Sequence, residues 1–381
     1  MSPLTDVKPT TVDEIHAVID ARADAFEAEA LPCEQARRPT EALEKLMREA
    51  RIPMAKVPKA VGGCELSPMD QVDFFAKLAY LNPTASWIGF NYAGVAGLLG
   101  AVLPDEGVEA LWGDGGCPLI AAVSKPGGPA KKVDGGWEIS GHWQYASGVT
   151  CADYVFLFCF SDQPEGLRGA LVPTDQVELV DDWHVAALKG TGSVDVKTEG
   201  LFVPDHLTGT PFVALRGGSM YTRIGLRGYI AGENVGFTLG VAQRCVDEIA
   251  KLCRDKKRVL DPTTIGERGA FQHALGRADM MIRSARVLAQ SELEAAMAIA
   301  DETQAMIPPD AISRVDASLA EATDLAIQAC HLVFPFAGAG ALHESSPTQR
   351  AYRDAIGSGQ HVIATNETLD LRGRAMLEGA G

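Results

Sequence analysis

Basic residues are in short supply in this chain. Lys and Arg number 34 against 50 Asp and Glu, a net charge of −16 over 381 residues, and no local block of positive charge offsets the deficit. A surface that tracks phosphates needs such a block, so nucleic acid is not expected as a partner. No uninterrupted run of about 18 apolar residues occurs, and the N-terminus opens polar and acidic, without a positive start and an apolar core behind it. We therefore expect no membrane partner and a cytoplasmic location. The eight cysteines include no Cys-x-x-Cys pair and sit mostly in apolar runs, the habit of reduced core thiols.

Familiar site signatures are missing too. There is no G-x-G-x-x-G behind a strand, no G-x-x-x-x-G-K-[ST] and no G-x-S-x-G. Rossmann, P-loop and α/β-hydrolase sites are thus not indicated. His331 and His343 stand twelve residues apart and His-Glu-x-x-His is absent, so no metal centre is expected.

What is present is ample core. With 46% apolar residues the chain can bury about 2 to 3 domains at ~150 residues each. Residues 1–116 carry helical spacing, as in Ile15, Val18, Ile19, Ala23 and Phe26, then Ala42, Leu43, Leu46 and Met47. Helices are predicted over Asp70–Leu81 and Ala85–Leu103, the second apolar around its whole circumference and therefore buried. Over 117–212 the period falls to two and turn residues multiply, which predicts a small β-barrel or sandwich domain. Within it, Ala152–Phe160 reads as a strand covered on both faces. From 213 to 381 long helical segments return, Ala231–Cys253, Gly266–Thr303, Ala311–Phe334 and Thr348–Asn366, enough for a four-helix bundle. The expected class is α+β, mainly α.

Two polar constellations stand out. Along Trp137–Gly148, strand alternation puts Trp137, Ile139, Gly141, Trp143, Tyr145 and Ser147 on one face, able to stack on a planar ligand with Ser147 at its edge. The plainer reading makes the aromatics core and Ser147 the start of a turn. On the last long helix, Asp354, Ser358, His361 and Thr365 form a polar stripe, in which an imidazole can move protons near neutral pH. A solvated helix face explains the same spacing. His142 and His184 read as structural, and Arg258, in Lys256-Lys257-Arg258, as either a solvated helix end or a phosphate anchor.

The order helical domain, β domain, helical bundle resembles the acyl-CoA dehydrogenase superfamily, and local strings carry the likeness over nearly the whole chain. They are Ser140-Gly141-His142-Trp143-Gln144-Tyr145-Ala146-Ser147-Gly148, Leu188-Lys189-Gly190-Thr191-Gly192-Ser193, Phe202-Val203-Pro204-Asp205-His206, and Pro347 to Asp354 followed by Gln360-His361-Val362. The Trp-Gln-Tyr-Ala-Ser-Gly form and the closing Gln-His-Val resemble the two-component flavin-dependent monooxygenases. The dehydrogenases need a carboxylate base on the closing helix, and by counting that position falls on Val362. An earlier-helix base would fall on Ile230, with Glu233 three residues on.

The resemblance implies reduced FMN or FAD delivered, by diffusion, from a separate NAD(P)H-dependent flavin reductase. With O2 the flavin would form a C4a-hydroperoxide that hydroxylates a phenolic, indolic or polycyclic substrate. It implies that His361 takes the substrate's proton and that Ser147 stands at flavin N5. Asn91 would hold the place where several relatives carry a substrate-side histidine. Trp143, Ser147 and Ser193 would lie near the isoalloxazine, and Arg258 at the phosphate. A homotetramer is implied as well. The competing expectations are an acyl-CoA dehydrogenase or related flavin oxidase using Glu233, and a noncatalytic flavin-fold binding subunit.

Overall fold

Thr11 starts the first helix. Its hydroxyl accepts the Glu14 amide while the Glu14 carboxylate takes the Thr11 amide, and Ile15 and Ile19 follow on the buried side. This reciprocal cap satisfies two donors that a helix start leaves over. The computed structural model describes residues 10–210, 213–259, 261–365 and 367–378. Its helices are α1 (Val12–Ala21), α2 (Ala23–Ala28), α3 (Ala30–Ala36), α4 (Glu41–Glu49), α5 (Pro68–Leu81), α6 (Pro83–Val102), α7 (Asp105–Trp112), α8 (Gly225–Asp255), α9 (Gly269–Thr303), α10 (Pro309–Val333), α11 (Pro347–Ser358) and α12 (Glu367–Glu378). Between α7 and α8 run β1 (Ile120–Val123), β2 (Pro129–Val133), β3 (Gly136–Ala146), β4 (Tyr154–Ser161), β5 (Leu167–Pro173), β6 (Glu178–Val180), β7 (Val194–Pro204) and β8 (Thr208–Gly209). The described residues fall into two compact units: up to Ser67 with 87–185 and 189–222 in the first, and 68–86, 186–188 and Arg223 onward in the second.

The first unit is organised by one sheet, in the order β6-β7-β3-β2-β4-β5-β8, with β1 parallel to β4. Its β4 pairs with β5 along its length, and with β1 and then β2 on its other edge. Val155 to Cys159 are accordingly buried, as expected for a strand covered on both faces. Val95 and Leu99 of α6, Leu103 just after it, and Val108, Leu111 and Trp112 of α7 share one core with Phe156, Phe158 and Leu171. The α6 helix is long and apolar enough to span a membrane, but 89% of its apolar window is buried in protein.

The face proposed for Trp137–Ser147 does not survive intact. The pairing of β3 with β7 slips between Ile139 and Gly141 and again between Trp143 and Ala146. The first slip puts its extra residue in β7 and leaves Trp137, Ile139, Gly141 and Trp143 on one face, whereas the second puts one in β3 and reverses the alternation before Tyr145. Trp137 and Trp143 are buried, whereas Tyr145 is 66% exposed.

In the second unit α8 packs against α5, α9, α10 and α11, which explains why residues 231–242 are buried on every side. Glycines let α5 in. A Cβ at Gly232, Gly236 or Gly240 would stand 2.2–2.5 Å from the carbonyl oxygens of Pro68, Val72 and Ala76, closer than any side chain tolerates. The bundle's long helices are α8, α9 and α10, and α5 joins them from the N-terminal zone.

The last predicted helix is shorter than its polar stripe requires. It ends at Ser358, where Gly357 and Gly359 weaken it, and His361 is extended (φ −71°, ψ 150°) before a turn over 362–364. Asn366 lies outside the described residues. Asp354 and Ser358 do not face solvent. They are 5% and 0% exposed, and Asp354 Oδ1 accepts the Leu188 amide at 2.7 Å, where Leu188 has a positive φ of 56°.

Candidate active site

In the first unit three predicted residues, Ser147, Ser193 and Asn91, gather around an unpredicted one, Trp87. Ser147 leaves the end of β3 into a turn at Gly148, whose φ of 76° suits glycine. The Trp87 indole N–H donates to Ser147 Oγ at 3.1 Å, and Ser147 Oγ lies 2.8 Å from Ser193 Oγ, itself 2.7 Å from Thr191 Oγ1. The Gly148 amide donates to the Thr191 carbonyl and the Tyr92 hydroxyl to the Gly148 carbonyl, so α6 and the 191–193 segment hold the turn from two sides. Asn91, one helical turn after Trp87, spends an amide N–H on the Trp87 carbonyl at 2.7 Å. That bond fixes its orientation, because a carbonyl can only accept, and it turns Oδ1 away from the helix backbone.

Trp143 does not join this group. It is 0% exposed and its indole donates to the Phe158 carbonyl at 2.7 Å, so it lies within the core beneath the strand. The accessible aromatic beside Ser147 is Tyr145, edge-on to Trp183 with centroids 6.3 Å apart. Its backbone is strained (φ 69°), and buried Asp195 steadies it: one carboxylate oxygen accepts the Tyr145 amide at 3.2 Å and the other lies 2.6 Å from His142 Nε2. Arg37 fixes the adjoining segment through the Trp183 carbonyl and Asp181.

The second unit carries His361 and Arg258. His361 retains a little accessible surface but is set deep in protein, and burial pulls its imidazole down to about 4. The near-neutral titration expected from sequence is thereby corrected: a low-dielectric setting disfavours the cation, so the ring is neutral at pH 7. Its amide donates to the Ser358 carbonyl, and Ser358 Oγ lies 2.8 Å from Thr238 Oγ1 on α8. Arg258 is exposed in the segment after α8. There its carbonyl accepts the Asp261 amide, and Asp261 is held below the usual carboxylate range by the Thr263 hydroxyl and amide, with Arg268 and Arg258 adding to the effect. Glu233, which a dehydrogenase reading would use, is 2% exposed inside α8.

Three residues escaped the sequence reading. Trp87 was detectable only as the residue one turn before Asn91, and Thr191 only by its two-residue spacing from Ser193. Asn234 carried no signal. It is fully buried, and neither Nδ2 nor Oδ1 has a hydrogen-bond partner among the described residues. No cluster of His, Cys, Asp or Glu among those residues could hold a metal ion.

Residues 234–366 match the family model for the acyl-CoA dehydrogenase C-terminal domain. The chain is 29% identical to the FADH(2)-dependent resorcinol hydroxylase, oxygenase component, of Rhizobium sp. (strain MTP-10005), covering 93% of this chain and 92% of that protein. It is 26% identical to a pigment production hydroxylase of Rhodococcus sp. (strain ATCC 21145), over 94% and 92% of the two chains. XiaF from Streptomyces sp., solved with FADH2 and glycerol, superposes with a TM-score of 0.83 at 22% identity, covering 96% of this chain and 95% of the other. The fold is thus of the acyl-CoA dehydrogenase type, and residues 234–366 carry the sequence likeness to that family's C-terminal domain. Over nearly its whole length the sequence is similar to hydroxylases of this fold, among them the oxygenase component of a flavin-dependent enzyme.

Proposed function

We propose that this chain uses reduced flavin and O2 to hydroxylate an aromatic substrate bearing a phenolic O–H or an indole N–H. The observation that carries the reading is the neutral, buried imidazole at His361 together with an apolar Val362 at the position where a dehydrogenase would place its acid. The residues of the first unit suit a flavin: Ser147 is a hydroxyl held by an indole donor, and Tyr145 offers an open aromatic face beside it. Bound reduced flavin supplies the electrons that activate O2 for insertion of one oxygen atom. Such a group brings its own chemistry, and the protein's part is orientation, electrostatics and dryness.

Ser147 would meet the ring edge with Ser193 and Thr191 supporting it, and Arg258 would take the phosphate. Asn91 presents Oδ1 to the substrate's O–H or N–H. His361, neutral across the physiological range, accepts that proton at a ring nitrogen and makes the substrate carbon more nucleophilic. Trp143 serves beneath the strand. The zones 1–116, 117–212 and 213–381 act as helical cover, flavin platform and bundle. The relatives' names support the substrate class, resorcinol being a phenol. The reading extends to a cytoplasmic homotetramer, consistent with the exposed Met280 and Val287 two turns apart on α9, and to a separate flavin reductase.

The test supplies enzymatically reduced FMN or FAD under ¹⁸O2 with phenols and indoles. One ¹⁸O atom in the product is expected. Label-free product, together with bleaching of tightly held oxidised flavin by an acyl-CoA, would overturn the reading.

A further inference from the structure

Ser147 has little freedom. An indole N–H only donates, so Trp87 fills one lone pair of the Ser147 oxygen in every arrangement. The Ser147–Ser193 and Ser193–Thr191 contacts can each be donated from either side. Two proton arrangements result. In one, Thr191 donates to Ser193 and Ser193 to Ser147, so both Ser147 lone pairs are filled and its own proton turns outward. In the other, Ser147 donates to Ser193 and Ser193 to Thr191, and Ser147 turns a lone pair outward. The three residues are 8%, 2% and 1% exposed in the order Ser147, Ser193, Thr191, which keeps bulk water from scrambling the row.

We infer that this row of hydroxyls lets one serine recognise both redox states of a flavin, and that Ser193 sets the preference between them. The inference rests on the reading above, which puts Ser147 at ring nitrogen N5. That nitrogen carries a proton in the reduced ring and a lone pair in the oxidised one, so the serine must accept in the first case and donate in the second. Accepting is open to it because its own proton has a home on Ser193. Without Ser193 the penalties are unequal. The reduced complex keeps a buried O–H with no acceptor, while the oxidised complex lacks only a donor to one spare lone pair, the milder deficit. Trp87 differs, since its bond is the same in both arrangements.

The test is binding, not turnover: anaerobic titration of the ligand-free chain with oxidised and with reduced FMN and FAD, for the parent and for Ser193→Ala, Trp87→Phe and Ser147→Ala. Ser193→Ala is expected to cut the reduced-over-oxidised affinity ratio about tenfold. Trp87→Phe should weaken both forms alike and leave the ratio within about twofold. Should Ser193→Ala fail to fold, the isosteric Thr191→Val removes the far end of the row and moves the ratio the same way. An unchanged ratio in these variants, with Ser147→Ala still altering affinity, would overturn the row's role and leave the flavin reading standing. Flavin affinities untouched by Ser147→Ala would overturn both.

Discussion

The polar groups of the two units are provided for differently. Around Ser147 the contacts close on one another: indole to hydroxyl, hydroxyl to hydroxyl, amide to carbonyl. In the second unit, Asn234 is sealed inside α8 with both ends of its amide unmatched among the described residues, and His361 sits where its charged form is suppressed. A closed network is a finished part, rigid before anything binds. A buried amide without partners is a debt that native interiors rarely carry, and a bound hydroxyl would settle it.

The contrast can be broken most forcefully at His361. Replacing it with Ala should lower product formation by roughly 10²-fold, the usual worth of a positioned base, while reduced flavin is still consumed and the lost oxygen appears as hydrogen peroxide. Equal product yield from His361→Ala and parent would remove the imidazole from the chemistry. Acid stability probes the same group. Its pKa is about 4 folded against an ordinary 6.5, so between these values the unfolded chain binds the extra proton. Stability is therefore full above pH 6.5 and falls as the pH drops toward 4, by roughly 2–3 kcal/mol. Denaturant melts of the parent and of His361→Asn across that window should differ in slope.

Ser147→Ala tests the closed side. It should raise the share of reduced flavin lost as peroxide, with about a tenfold drop in coupled product, since one hydrogen bond of this kind is worth about 1.4 kcal/mol. Ser147→Thr, which keeps the hydroxyl, should recover most of it. The smallest effect sharpens the open side. Asn234→Leu has a similar shape and no polar atoms, so the ligand-free protein should gain about 1 kcal/mol and melt about one degree higher. A lower melting point would mean that the amide is already satisfied.

The fold was largely legible because its signals are local and repeated. Helical spacing gave α1, α4, α5 and α6, and the change to a period of two located the sheet, with β4 doubly covered as expected. What failed turned on single residues. One slip in the β3–β7 pairing, between Trp143 and Ala146, decides which aromatic is open, and no propensity at Trp143 or Tyr145 announces it. Likewise the glycines at 357 and 359 stop α11 before the polar stripe is complete. At the site, Ser147, Ser193 and Asn91 could be named from motif strings, but Trp87 ties them together through contacts distant in sequence, which spacing alone does not encode. His361 could be singled out from the sequence, whereas its lowered pKa depends on surroundings that only folding supplies.

The three glycines of α8 bear on how this protein can change. Where α5 crosses them, main chain meets main chain, and main-chain atoms are the same whatever the sequence. Diversity libraries should then leave that seam alone and spend their variation on the outward side of α9. There exposed Glu294 and Asp301 can be exchanged without moving the axis on which the rest of the bundle is hung.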